Sequence, residues 1–243
     1  MIPSLRRASA AFTRHPYPFV WSSFMYAVMQ VLFAFAAAGV FLLYFLLASV
    51  LGIGTGVSDI PTVIAAMIVL LVFLFFSCGL NAGLISAYAA AMEGRKTTVA
   101  DFFKYSLQKS PPMFAIMAVR DAITLVAASP GIALFYFLKD TPFVDMISML
   151  YVLLVVFIMH LLFTPVFVST GAFGSGLITS LRNGAGLLRR KHVYALGLYV
   201  VFAIVWFFNF IPLVQLFTLF AAYPIVYSAF IAMFQGGPVR TMR

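Results

Sequence analysis

Six long apolar runs, at residues 19–51, 61–92, 112–137, 143–169, 193–211 and 213–235, are separated by connections whose cation content alternates. The stretch before the first run carries Arg6, Arg7 and Arg14. The connection after the second carries Arg95, Lys96, Lys104 and Lys109, and the one after the fourth carries Arg182, Arg189, Arg190 and Lys191. The C-terminal tail adds Arg240 and Arg243, whereas the other three connections hold a single cation, Lys139. About 20 apolar residues let a helix cross a ~30 Å hydrocarbon layer, and cytoplasmic loops collect Lys and Arg. The pattern predicts an all-α integral membrane protein. Its six transmembrane helices form three hairpins in a single transmembrane domain over residues 1–243, with the N- and C-termini cytoplasmic.

Composition excludes most alternatives. Only 9% of residues are charged and 64% are hydrophobic, against about 25% charged in soluble domains. The net charge of +9 belongs to loops beside the spans. There it orients the chain and attracts anionic lipid headgroups at about 1 kcal/mol per cation, so no nucleic-acid partner is expected. Cys78 is the only cysteine, which excludes an intrachain disulfide and a zinc-type cluster; it reads as a small buried apolar residue. The first run exceeds the ~7–15 residues of a signal-peptide core, so it is expected to be kept as a helix.

Local signals punctuate the runs. A glycine-rich stretch from Gly52 to Gly56 ends the first, and Asp59 with Pro61 opens the second, because proline is tolerated in a helix's first turn. Thr98 three residues before Asp101 has the form of a capping box. Val99, Phe102, Phe103 and Leu107 then share one face, with Asp101, Lys104 and Gln108 on the other. This predicts a short amphipathic helix in the inner interface, broken by Pro111-Pro112, where the third span begins. Similar segments precede the first span (Leu5, Ala8 and Phe12 opposite Arg7 and Arg14) and the fifth (Leu177, Leu181 and Leu188 near Arg182 and Arg189). Each hairpin is thus expected to follow an amphipathic interfacial helix. Arg7, Arg14, Lys104, Lys109, Arg182, Arg189, Arg190 and Lys191 are the candidate membrane-surface residues.

Strong hydrogen-bonding groups recur at one depth. Counted at ~1.5 Å per residue from the inner ends, Gln30, Asn81, Arg120, Asp121, His160, Tyr223 and Tyr227 fall within the inner half of the bilayer. Ionisable groups at such depth are costly and point to function. Arg120 and Asp121 are neighbours about 100° apart on the helix and face each other poorly. Each is expected to seek a partner elsewhere: Arg120 at Tyr223 or an anion, Asp121 at Asn81, Gln30 or His160. The bland alternatives are a structural network, a snorkelling Arg120 and a packed His160 rather than a proton shuttle. Gly79 and Gly83 form a G-x-x-x-G, with Ser86, Ala87 and Ala90 extending the small stripe; packing inside the bundle is the expected use. Thr164-Pro165 predicts a kink in the fourth helix.

No catalytic constellation stands out. The six acids form no close pair for acid–base chemistry, and no H-E-x-x-H, G-x-S-x-G or P-loop order occurs. No enzyme activity, metal or cofactor is expected. The candidate ligand-binding residues Arg120, Asp121, Asn81, Gln30, His160, Tyr223 and Tyr227 would serve a transporter or channel-like binder of a small polar or anionic solute or a lipid headgroup. The rival is a non-catalytic membrane scaffold or accessory subunit acting through the interfacial helices and basic loops. The partners open to such a chain are membrane lipids with anionic headgroups, a small polar or anionic solute, and a second copy or another membrane protein.

The runs Gly79-x-Asn81-x-Gly83, Glu93-Gly94-Arg95-Lys96 and Asp101-Phe102-Phe103 resemble a prokaryotic family of six-span integral membrane proteins. That family is similar to the membrane domain sometimes joined to glycerophosphodiester phosphodiesterases. The resemblance covers residues 75–115 by motif and the remainder only by topology. It implies a prokaryotic cytoplasmic membrane. With no phosphodiesterase domain in the chain, it carries over no catalytic residue.

Overall fold

The computed structural model describes residues 3–52, 59–138, 141, 143–208 and 211–236. Lys139, Arg240, Arg243 and most of the glycine-rich stretch, residues 53–56, lie outside the described residues. The described chain is helical: α1 (Pro3–Arg14), α2 (Pro16–Val50), α3 (Ile60–Met92), α4 (Val99–Phe137), α5 (Val144–Phe173), α6 (Leu177–Arg190), α7 (His192–Phe208), α8 (Pro212–Phe217), a π-helical stretch (Thr218–Ala222) and α9 (Tyr223–Gln235). Five helices are long and apolar enough to cross a membrane: α2, α3, α4, α5 and the continuous rod Val214–Gln235. α7 is apolar but has only 17 residues, or about 26 Å.

The helix ends follow the local chemistry. Pro61 sits in the first turn of α3 behind Asp59 at its N-cap. α2 stops at Val50, and Gly52 follows in a left-handed conformation at φ 67°. At the start of α4 the Thr98 hydroxyl accepts from the Asp101 amide at 3.1 Å, and the Thr98 amide donates to Asp101 Oδ2 at 3.2 Å. The Thr98 hydroxyl also donates to that carboxylate at 2.7 Å. These bonds, the hydroxyl's first, hold the Asp101 carboxyl below its ordinary pKa.

The prolines do not break the third span from its amphipathic lead. α4 runs unbroken through Pro111, Pro112 and Pro130. Proline at 111 and 112 removes the amide donors for the carbonyls of Leu107 and Gln108, and both residues are exposed. Water or headgroups can take those carbonyls. The opposite face is held by packing. A Cβ on Gly79 would overlap Ser110 Oγ and lie 2.8 Å from Ser106 O, and one on Gly83 would overlap Ser106 Oγ. α3 and α4 therefore touch at backbone distance, as small-residue stripes permit, and that contact holds the lead of α4 straight. α1 and α6 are separate amphipathic helices, as expected. Ala8 of α1 and Leu187 of α6 are buried, while Arg7, Arg14, Arg182, Arg189 and Arg190 are exposed.

The basic segments converge on one end of the bundle. Lys96, in the loop before α4, lies 6.0 Å from the Tyr17 ring at the start of α2. Lys191, between α6 and α7, donates to Met233 O at the end of α9, at 2.7 Å. The core lies near this end, built from α3 (Leu80, Ile85, Tyr88), α2 (Phe19), α7 (Leu198, Phe202) and α9 (Phe230, Ile231). At the other end long stretches expose apolar side chains to the surroundings, among them Ile123 to Phe137 on α4 and Met146 to Leu162 on α5.

Candidate functional site

Apart from Gln30, the predicted layer of polar residues divides into two places that share His160. The first is a cavity of about 350 Å³ lined by Tyr26 (α2), Asn81 and Leu84 (α3), His160 (α5), Phe202 (α7), Gln215 (α8), Leu219 (π stretch), and Tyr223 and Tyr227 (α9). Leu84 and Phe202 are buried, Tyr26, Asn81, His160, Leu219, Tyr223 and Tyr227 are half-buried, and Gln215 is exposed. Tyr223 and Tyr227 fall on one face of α9 because they are four residues apart, with ring centroids 6.1 Å from each other. The Phe202 ring lies 6.1 Å from each tyrosine and 5.6 Å from the His160 ring. Asn81 Nδ2 donates to the Ser77 carbonyl at 3.0 Å, which fixes the amide's orientation. Among the described residues, no Lys, Arg, Asp or Glu lines this cavity.

The π stretch has a local cause and a local effect. Pro224 lacks an amide, and its ring collides with the carbonyl four residues back, here that of Phe220. Widening the turn relieves the clash, and the Tyr223 amide accordingly donates to Thr218 O, five residues back. The extra residue rotates Gln215 relative to Tyr223, so both reach the same cavity. Single π turns recur at functional sites.

The second place is a groove of about 360 Å³ between α4 and α5, lined by Arg120, Asp121, Thr124, Leu125, Ala128, Ile132, Val152, Val156 and His160. Among the described residues, Arg120 and Asp121 make no hydrogen bond or ion pair with another helix. They bond to each other, with Arg120 Nε 2.8 Å and Nη2 2.6 Å from Asp121 Oδ1. The adjacent positions diverge at Cα, but the long arginine side chain folds back across the gap. Its guanidinium also lies 5.5 Å from the Phe167 ring centroid, within cation–π range. The arginine side chain is 17% exposed and the aspartate 53%. The pair sits at the edge of the exposed apolar stretch that begins at Ile123 on α4.

Gln30 lines neither place. Its side-chain amide is engaged with Ser77, donating to Oγ at 2.9 Å and accepting from it at 3.3 Å, and it interacts with the Tyr26 hydroxyl. It ties α2 to α3 beside the cavity. Two residues assigned to the membrane surface also turn inward. Lys109 Nζ donates to Gly171 O at 2.5 Å and to Ser86 Oγ at 2.8 Å, joining α3, α4 and α5. Lys191 is the half-buried donor to Met233 described above. Lys104, Arg7, Arg14, Arg182, Arg189 and Arg190 remain exposed.

Sequence reasoning missed Tyr26, Gln215 and Ser77. Tyr26 is one helical turn before Gln30, a spacing that would have flagged it. Gln215 was unremarkable because it lies near the far end of its apolar run, outside the layer that depth counting selected.

No family model, curated protein or solved structure matches this chain. The likeness to the six-span family thus stands on its three short motifs. In the fold those motifs form the α3–α4 contact, through Gly79 and Gly83, and the capped start of α4 at Asp101.

Proposed function

We propose that this multi-pass protein crosses a prokaryotic cell membrane six times with both termini cytoplasmic, and that it binds a small uncharged polar solute for passage across the bilayer. The carrying observation is the first cavity, whose wall gathers an amide from Asn81, an amide from Gln215, the His160 imidazole and three tyrosines. These groups offer both donors and acceptors, and Phe202 offers an apolar face. A few convergent polar groups in a largely apolar hollow are the usual form of a small-molecule site. A wall without formal charge favours a neutral solute over an anion. The charge of Arg120 is spent on Asp121 in the other groove. The π stretch beside Leu219 supplies a break in the helix at the cavity, as in transporters whose sites border discontinuous helices. The gathering of the basic loops at one end supports the inside-facing termini.

The test is a panel of amides and polyols, from urea and glycerol upward, offered to the purified protein and to proteoliposomes. At least one should raise the protein's thermal stability and enter proteoliposomes faster than empty vesicles. Gln215→Leu and Asn81→Leu should each weaken binding by roughly fivefold or more, the size of one lost neutral hydrogen bond, whereas Arg120→Leu should leave it intact. If every solute enters at the rate of empty vesicles, or both cavity variants bind as the parent does, the reading fails. The scaffold reading would then stand on the exposed arginines of α6.

A further inference from the structure

We propose that the groove between α4 and α5 holds one zwitterionic phospholipid whose headgroup bears a primary ammonium. Three observations lead there. First, the Arg120–Asp121 pair is incomplete. Both close arginine contacts go to Oδ1, so Oδ2 receives no hydrogen bond and Nη1 donates none among the described residues. Nη1 of the guanidinium and Oδ2 of the carboxylate are left open to a ligand at the groove's end, with Asp121 half exposed. Second, the groove has two chemistries along its length. Arg120, Asp121 and Thr124 form one end, and beyond them Leu125, Ile132 and Val156 line an apolar channel. From Arg120 to Ile132 the helix rises about 18 Å, enough to cover a long part of an acyl chain. Third, the charged end opens onto the exposed apolar stretches of α4 and α5, the surface that a bilayer's acyl chains would cover.

The charge pattern selects the occupant. A carboxylate beside a guanidinium is neutral overall, so it suits a dipolar headgroup better than a singly anionic one. The lipid phosphate meets the free guanidinium N–H, an arginine–phosphate contact. The ammonium then reaches Oδ2, and only an ammonium that carries N–H can donate to it; a quaternary ammonium cannot. This occupant completes both members of an ion pair that would otherwise be half satisfied at low dielectric. The site is separate from the solute cavity, with His160 as their common wall.

The experiment is native mass spectrometry of the full-length protein in detergent with matched-chain phosphatidylethanolamine, phosphatidylcholine and phosphatidylglycerol as probes. The parent protein should retain phosphatidylethanolamine at least about tenfold better than the other two, the worth of one charge-assisted hydrogen bond. Asp121→Asn should abolish that preference, and Arg120→Gln should weaken retention of all three. Val156→Trp leaves both charges in place and fills the apolar channel; it should displace the lipid. Equal retention of the three lipids by the parent overturns the proposal. So does a preference that survives Asp121→Asn or Val156→Trp. Asn81→Leu should leave lipid retention unchanged, which separates failure here from failure of the solute site.

Discussion

Lys109 shows how one side chain can leave the class its charge assigns it. Cations beside a span normally meet water and headgroups, yet this ammonium binds Gly171 O and Ser86 Oγ between three helices. Its neighbour Lys104, a little over one turn earlier, is exposed. An amine-reactive acylating reagent should therefore modify Lys104 quickly and Lys109 slowly, read by peptide mass spectrometry; equal rates would contradict the bonded arrangement. Lys109→Met should lower stability by roughly 1.5–3 kcal/mol, the range for hydrogen bonds to a charged group, measured by denaturation in mixed micelles. Asp101 gives a pH-dependent counterpart. Its folded pKa is depressed, mainly by the Thr98 hydroxyl. Capping therefore contributes fully above the unfolded carboxyl's ordinary pKa and is lost as pH falls through the lower folded value. Amide exchange in the first turn of α4 should accelerate over that acidic window. Thr98→Ala should make exchange fast already at neutral pH and remove most of the acid dependence. A parent protein with no acidic step would refute the cap's role.

The α3–α4 contact makes a sharper claim about helices as units. At Gly83 the first obstacle to an added Cβ is the Ser106 hydroxyl; the nearest backbone atom, the Phe102 carbonyl oxygen, is 3.2 Å away, tight but not overlapping. At Gly79 the obstacles are the Ser110 hydroxyl and also the Ser106 backbone carbonyl at 2.8 Å. Gly83→Ala should thus cost about 1–3 kcal/mol as overpacking and be largely rescued by Ser106→Ala. Gly79→Ala should cost a similar amount and resist rescue by Ser110→Ala, because backbone cannot be trimmed. Two double-mutant cycles in detergent denaturation decide it, and equal coupling in both would refute the assigned geometry. The glycine stripe was legible because small residues at four-residue spacing have few other uses in lipid. The helices and caps were legible for a similar reason: Thr98, Asp101 and Pro61 act on their own turns. The unbroken α4 was not. Whether Pro111-Pro112 ends a helix depends on what the far face packs against, and sequence places that partner in another helix. Likewise the Arg120–Asp121 bond depends on side-chain reach, which angular spacing at Cα ignores. Depth alone grouped the polar residues; the rotation of each helix, which split them between a cavity and a groove, is fixed by the packing of all the others.

At the scale of the molecule, the decisive element is α7. Its 17 residues reach about 26 Å, near the lower limit for a bilayer crossing. A short apolar helix can also lie along a surface, and then the last rod would run in the reverse direction relative to the membrane. The contacts argue against that. Lys191 meets Met233, Tyr199 packs 5.7 Å from Phe230, and Phe202 packs on Tyr227 and Tyr223. As α7 advances, its partners recede along α9, so the two helices run antiparallel side by side. The end of α7 near Ile211 then points away from the basic end, and under the six-span proposal slight bilayer thinning would accommodate the short helix. Single cysteines introduced into a Cys78→Ala background test this in intact cells with a membrane-impermeant maleimide. Cys78 itself is 1% exposed, so its removal costs the assay nothing. Cysteines at Thr141 and Ile211 should react from outside; those at Lys96 and Arg189 should react only after the membrane is opened. Labelling of Ile211 together with Lys96 from the same side would mean that α7 does not cross. Gln215, which follows Ile211 by one turn, would then face the wrong compartment for the cavity it lines.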